Sequence, residues 1–265
     1  MKEPIVSLQN PRVKLLVKLR EKSSERQKQG LFLIEGIQEI QLALQSGVPV
    51  REIFHCPALT GKSPETQAIL QTPKTAFQEV SLPVFEKISY RKHSGGLIAL
   101  AAYRPLSLSD LELSAKPLLI ILEAVEKPGN LGAILRTADA AKADAVIVCD
   151  PKTDLCNPNV IRSSLGCVFT TQVVAASSGE TLALLREKKI RSFAAALTAT
   201  ELYHETDLTG PTAIVMGTES TGLTETWLNE ADAQIKIPMH GKIDSLNVST
   251  SCAIIVFEAV RQRAQ

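Results

Sequence analysis

The sequence predicts an α/β protein in two parts, a C-terminal parallel-sheet α/β domain and a small N-terminal α/β unit. Residues 118–122 (LLIIL) form an unbroken apolar run of the kind buried on both faces of a parallel sheet. From there to residue 237, predicted strands and helices alternate, which is the pattern of a doubly wound sheet with crossover helices. Between the two parts, residues 103–114 carry Pro105 and alternating Ser and Leu and read as a connection. The expected division is 1–103, a linker at 104–114, and 115–265; at 265 residues and 45% hydrophobic, the chain can supply a core for both parts.

In the first part, Asn10 is placed to cap a helix over residues 11–22 that Pro11 opens, with Val13, Leu16 and Leu19 or Arg20 on successive turns. A strand at 31–34 leads into a helix at 37–45, which Gly47 stops, and a strand at 51–56 follows. Residues 57–73, rich in Pro, Thr, Ser and Gly, read as loop around a short helix, ahead of a helix at 82–89 and a buried strand at 97–102. In the second part, strands are expected at 118–122, 145–149, 168–174, 191–197, 213–216 and 233–237. The intervening helices are expected from Gly129 or Asn130 to 141 and at 160–165, 181–189 and 224–229, and a long apolar helix begins at Val248.

Charge and cysteine usage narrow the function classes. The net charge is +1, yet residues 12–28 hold seven basic side chains (Arg12, Lys14, Lys18, Arg20, Lys22, Arg26, Lys28) against Glu21 and Glu25. Such a cluster attracts phosphates or serves as a solvated helix face. Aromatic residues make up 4%, too few for a base-stacking platform. The five cysteines form no CxxC and lie mostly among apolar residues, which argues for buried thiols over disulfides or zinc. No apolar run approaches the ~18 residues of a membrane helix, and MKEPIVSLQN lacks a signal-type apolar core, so a cytoplasmic protein is expected. HExxH, GxSxG and paired metal ligands are absent, and no metal is expected.

Three stretches each follow a predicted strand, where α/β ligand sites lie. In KPGNLGAILRT at 127–137, glycines permit close backbone approach, Asn130 can cap a helix, and Arg136 sits among apolar neighbours needing an anionic partner, a carboxylate or a phosphate. MGTESTGL at 216–223 sets two glycines around Glu219, but it matches neither phosphate-loop pattern, and the carboxylate favours a neutral or cationic ligand. In IPMHGKIDSLNVS at 237–249, Ser245 and Asn247 read either as helix caps or as ligand contacts, and His240 reads as a surface loop residue.

Taken in order and spacing, these three motifs resemble those of the SpoU (TrmH-type) family of RNA ribose 2′-O-methyltransferases in the SPOUT superfamily. SLQNPRVKLL and FLIEG in the first 100 residues are similar to the N-terminal substrate-binding domain of rRNA-directed members, so the resemblance spans essentially the whole chain. It implies a deep trefoil knot in the C-terminal domain, a homodimer, and S-adenosylmethionine bound in the knot. By position, cofactor contacts fall on Thr198, Gly217, Ile237, Met239 and Leu246, and the catalytic set on Asn130, Arg136, Glu219, Ser245 and Asn247. Arg12, Lys14 and Arg26 are the expected RNA contacts of the N-terminal unit, with Arg261 or Arg263 as a second phosphate contact.

The residue types fit such chemistry. A sulfonium brings an activated methyl group, so the protein has chiefly to align a ribose 2′-hydroxyl and aid loss of its proton. The motifs offer no His or Lys in the place of a conventional base, and Arg136 stays protonated. Its expected role is to bind the adjacent phosphate and stabilise the developing alkoxide, with Asn130 orienting it and Ser245 and Asn247 placing the ribose. Structured RNA, rRNA ahead of tRNA, is the expected substrate; a non-catalytic RNA-binding assembly factor of the same fold is the rival.

Overall fold

The structure, a computed structural model, describes residues 3–73, 75–91 and 95–264. In chain order its elements are α1 (Pro11–Glu21), α2 (Ser23–Gln29), β1 (Leu31–Glu35), α3 (Ile37–Gln45), β2 (Val50–His55), α4 (Pro64–Leu70), β3 (Ala76–Glu79), α5 (Leu82–Ile88) and β4 (Leu97–Ala102). They continue with β5 (Leu118–Glu123), α6 (Pro128–Ala140), β6 (Ala145–Cys149), α7 (Pro158–Ser163), β7 (Val173–Ala176), α8 (Ser178–Lys188), β8 (Arg191–Ala195) and β9 (Glu201–Leu202). Last come β10 (Thr212–Met216), α9 (Glu225–Glu230), β11 (Ala233–Lys236) and α10 (Val248–Arg263). Among the described residues no helix is long and apolar enough to cross a membrane.

These elements gather into two compact units, residues 1–104 with 154–170, and residues 105–153 with 171–265. The first unit is a four-stranded sheet in the order β1-β4-β2-β3, antiparallel except for the β2–β3 pair. Strand alternation loads both faces: Leu31 and Leu33 join Val13, Leu16, Leu19 and Phe85 on one side, whereas Phe32 and Ile34 join Ile40, Ala43 and Ile69 on the other. Cys156 and Ile161 belong to the second of these cores. Residues 154–170, including α7, therefore pack with the N-terminal unit, although their sequence position assigns them to the C-terminal domain.

The basic cluster divides by residue type. Arg12 pairs with Glu52, donates to Gln78 (3.1 Å) and lies 5.2 Å from the Phe54 ring centroid. Arg20 donates to the carbonyls of Lys87 (2.9 Å) and Ser89 (2.7 Å). Arg26 is 4% exposed, bonded to Asp154 at 2.5 Å and to the Leu19 carbonyl at 2.6 Å. The expectation that Arg26 contacts RNA is thus corrected, because its guanidinium is enclosed within the unit; Arg12, although paired, keeps 40% of its side chain exposed. Lys14, Lys18, Lys22 and Lys28 are exposed. A planar fork suits fixed carboxylate and carbonyl partners, whereas a flexible, strongly hydrated ammonium stays outside.

The second unit carries an all-parallel sheet in the order β7-β6-β5-β10-β8-β11-β9. Every residue of β5, β6 and β10 is buried, as the apolar runs require. α8 and α9 cover one face through Leu182, Leu185 and Trp227, and α10 packs on α6 and β10. α6 turns Leu131, Ile134, Leu135 and Ala138 inward, an i, i+3, i+4, i+7 stripe, and leaves Arg136 exposed. β5 and β10 are neighbours in space, paired from Leu118–Thr212 to Leu122–Met216. The chain leaves β5 for β6 and β7 on one side, while β10, β8 and β11 fill the other. The loops after β5 and β10 therefore part at a topological switch point, where crevices form.

Because Arg26 is buried with a single carboxylate partner, Arg26→Met should strand Asp154 and destabilise the protein by about 3–5 kcal/mol in urea unfolding. The exposed change Lys14→Ala should stay within about 0.5 kcal/mol of wild type.

Candidate functional site

The loop after β10 is held in shape by its own backbone. Thr218 and Gly222 exchange N–H···O bonds of 3.0 and 3.1 Å, and Gly222 takes φ +70°, a left-handed conformation suited to glycine. At Gly217 a Cβ would stand 2.3–2.5 Å from backbone atoms of Gly222 and Leu223, so no side chain fits. The buried Glu123 carboxylate at the end of β5 accepts from the Thr224 amide (2.8 Å) and hydroxyl (2.6 Å), fixing the far end of the loop. The loop thereby presents Glu219 at its tip.

Three distant segments meet at that carboxylate. Lys127, at the N-cap position of α6, donates to Glu219 Oε2, and Asn130 Nδ2 donates to Oε1. Asn247 Nδ2 donates to Glu219 Oε1 at 2.9 Å and to Asn130 Oδ1 at 3.2 Å. Asn247 Oδ1 meanwhile accepts from the Ser249 amide (3.0 Å) and hydroxyl (2.6 Å), capping α10. Asn247 is therefore both a cap and a member of the cluster, one end of its amide serving each role. The hydrogen bond from Lys127, ahead of those from Asn130 and Asn247, holds the Glu219 carboxyl below its usual range.

Two cavities adjoin this cluster and share Gly217 to Ser220 and Val248 as a wall. The larger, about 440 Å³, opens among the loops after β8, β10 and β11. Thr198, Gly217, Ile237, Met239 and Leu246 all line it, as does Ser245, whose hydroxyl donates to Asp244 at 3.0 Å. Its walls mix apolar Met216, Leu228 and Ile235 with the Glu219 and Asp244 carboxylates, a fit for a ligand with apolar and cationic parts. The smaller, about 290 Å³, is lined by Glu126, Lys127, Asn130 and Glu219.

The remaining residues named from sequence lie elsewhere. Arg136 is exposed on α6, and among the described residues it has no hydrogen-bond or ion-pair partner. The Asn130 amide bonds Glu219 and Asn247, and among the described residues no hydrogen bond joins it to Arg136. Arg261 is bound to Glu258 by two hydrogen bonds of 2.8 and 2.9 Å, which hold that carboxyl at about 2. Arg263 donates to the carbonyls of Leu208, Lys116, Pro117 and Gly210. Arg263 is thus engaged by the fold, as a helix end beside loop carbonyls recruits a guanidinium, whereas Arg261 is 56% exposed in a surface pair that leaves room for a phosphate. Lys127 is the cluster member that sequence reasoning passed over; its signal was the charged lead-in to Asn130. Among the described residues no group of His, Cys, Asp or Glu is arranged to hold a metal ion.

A model of the SpoU rRNA Methylase family matches residues 117–257, and a model of the MRM3-like substrate binding domain matches residues 10–99. A relative from Vibrio cholerae, the 23S rRNA (guanosine-2′-O-)-methyltransferase RlmB, is 37% identical over 194 residues, covering 71% of this chain and 78% of its own. Among solved structures, an RNA 2′-O ribose methyltransferase is 41% identical with a TM-score of 0.86, covering 99% of this chain and 100% of its own. The SpoU methyltransferase AviRb of Streptomyces viridochromogenes, in complex with the cofactor AdoMet, is 27% identical with a TM-score of 0.88, covering 96% and 99%. The chain belongs to the SpoU rRNA methylase family.

Since the loop closes on itself at Gly217, Gly217→Ala should destabilise the protein by about 1–3 kcal/mol through overpacking, read by denaturant unfolding. Gly179→Ala, with nothing within 4 Å of the new Cβ, is the control and should not destabilise.

Proposed function

We propose that this chain transfers a methyl group from S-adenosylmethionine to a ribose 2′-hydroxyl in ribosomal RNA. The observation that carries the reading is the convergence of Asn130, Glu219 and Asn247 on a wall shared by two cavities. The larger cavity takes the methyl donor and the smaller the acceptor ribose. The fit of the first rests on its mixed lining: apolar walls suit an adenosine moiety, and carboxylates suit a cation. Thr198, Gly217, Ile237, Met239 and Leu246 would hold the donor, and the tight backbone at Gly217 permits close approach. When bound, S-adenosylmethionine supplies a sulfonium-activated methyl group.

The chain's own groups then have to orient and stabilise. Asn130 and Asn247 are fixed by Glu219, and with Ser245 they position the ribose at the shared wall. Glu219, held below the usual carboxylate range, serves near neutrality as a fixed acceptor rather than as a base. Arg136, exposed on α6 and without a partner among the described residues, binds the neighbouring phosphate and stabilises the developing alkoxide. In the homodimer that the family resemblance implies, Arg136 acts in a site shared with a second copy of the chain. The large apolar Phe257, 45% exposed on α10, supports a homodimer through the face of that helix it stands on. A trefoil knot, with the C-terminal segment threaded through an earlier loop, belongs to the same reading; the shared lining of the larger cavity by loops after β8, β10 and β11 supports it.

The N-terminal unit would contact RNA phosphates through Lys14, Lys18 and Lys22, which recur every four residues along α1 and its end. The 23S rRNA assignment of the Vibrio cholerae relative and the substrate-binding match favour rRNA over tRNA, and a cytoplasmic site of action belongs to the same reading.

Labelled S-adenosylmethionine incubated with isolated rRNA and tRNA should mark rRNA at a 2′-O position; no transfer to any RNA would favour the non-catalytic assembly factor. Arg136→Ala should lower turnover by about 10²–10³-fold with donor affinity retained, whereas near-normal turnover and unchanged pH dependence in Arg136→Lys would refute its role. Removing Lys14 and Lys18 should reduce the slope of RNA affinity against salt by about 0.7–0.9 per contact, measured by filter binding at several salt concentrations.

A further inference from the structure

Lys127 has no part in the reaction as described so far, although it binds the carboxylate at the centre of the site. Its side chain is 70% exposed, against 24% for Glu219, and it lines the smaller cavity. An ammonium has three N–H donors, and Glu219 engages one of them. The others are open to solvent at the edge of the space assigned to the ribose.

The surroundings make an anion the natural partner for those donors. A nucleotide brings a phosphate into a cavity that Glu126 and Glu219 line, and two carboxylates would repel it. Lys127 offsets that repulsion at its source. The positive end of α6, a helix of 13 residues, lies at the same cavity through Lys127 and Asn130. Its first turn has no acidic side chain of its own and no side-chain cap, and the Glu219 carboxylate beside Lys127 and Asn130 is the anion it faces.

We infer that Lys127 is a two-handed contact of the acceptor site, one N–H on Glu219 and another on a phosphate of the bound RNA. This rests on the methyl-transfer reading above. Phosphate docking is thereby linked to the carboxylate that fixes Asn130 and Asn247, so the ribose and the amides that position it are registered by one ammonium. Because the Lys127 hydrogen bond is the foremost cause of the low pKa of Glu219, its loss moves that carboxyl upward. The amide cluster then fails at a higher pH than in wild type as acid is added.

The test compares full-length wild type, Lys127→Met, Lys127→Gln and Lys127→Arg on the RNA that wild type methylates. For Met and Gln, KM for RNA should rise about tenfold or more, as expected for a lost charged hydrogen bond, and the salt slope should fall by about 0.7–0.9. The acid limb of kcat should move to higher pH, while S-adenosylmethionine affinity by calorimetry stays at the wild-type value. Lys127→Arg should restore most of the RNA affinity. Unchanged KM and salt slope in the Met and Gln variants would overturn the inference, including where the melting temperature falls, because that result marks a surface ion pair with no RNA role. A wild type that methylates no RNA would instead overturn the methyl-transfer reading, and this inference with it.

Discussion

A single carboxylate organises the functional half of the molecule. Glu219 accepts from Lys127, Asn130 and Asn247, which lie 92, 89 and 28 residues away along the chain. No local conformation brings such residues together; the pairing of β5 with β10 does. That pairing sets the loop tip beside the start of α6, and the packing of α10 on α6 and β10 delivers Asn247 to the same point. Without the carboxylate, the amides of Asn130 and Asn247 would have no common acceptor to set their orientation, and a side-chain amide that can flip is a poor guide for a hydroxyl nucleophile.

Much of this was legible in the sequence because its signals are local. The apolar run of β5, the 3.6-residue stripe of α6 and the long apolar pattern of α10 each mark an element without reference to the rest. The glycines of the 216–223 loop mark a tight turn for the same reason. What escaped depends on partners distant in sequence. α2, reading SSERQKQ, has no apolar periodicity; it is held by the burial of Arg26 against Asp154 and by Gly30 in the left-handed conformation. β3 and the two-residue β9 are edge strands too short to carry a pattern. Asn247 could not be divided between cap and ligand from sequence, because one amide performs both tasks with opposite ends.

The basic cluster gives the clearest case of a pattern that misleads when only charge is counted. Its arginines and lysines alternate along one run of sequence, yet the guanidinium groups turn inward to carboxylates and carbonyls while the ammonium groups remain in water. The same sorting recurs at the other end of the chain, where Arg263 secures the close of α10 to the carbonyls of Lys116 and Gly210. In this protein, arginine is mainly a fastener and lysine mainly a free charge. Arg136 departs from this sorting, an exposed guanidinium on a helix whose other face is core.

Residues 154–170 leave the second unit between β6 and β7 and supply Cys156 and Ile161 to the core of the first. The backbone consequently passes from one unit to the other three times, after residues 104, 153 and 170. A gene fragment ending at residue 104 would encode a sheet whose α3 face lacks part of its cover, and Arg26 would lose its counter-ion. Grafting the N-terminal unit onto another catalytic body would therefore mean moving two pieces of sequence together. Recombination between relatives faces the same condition, since exchange at a single crossover point would separate a core from its lining.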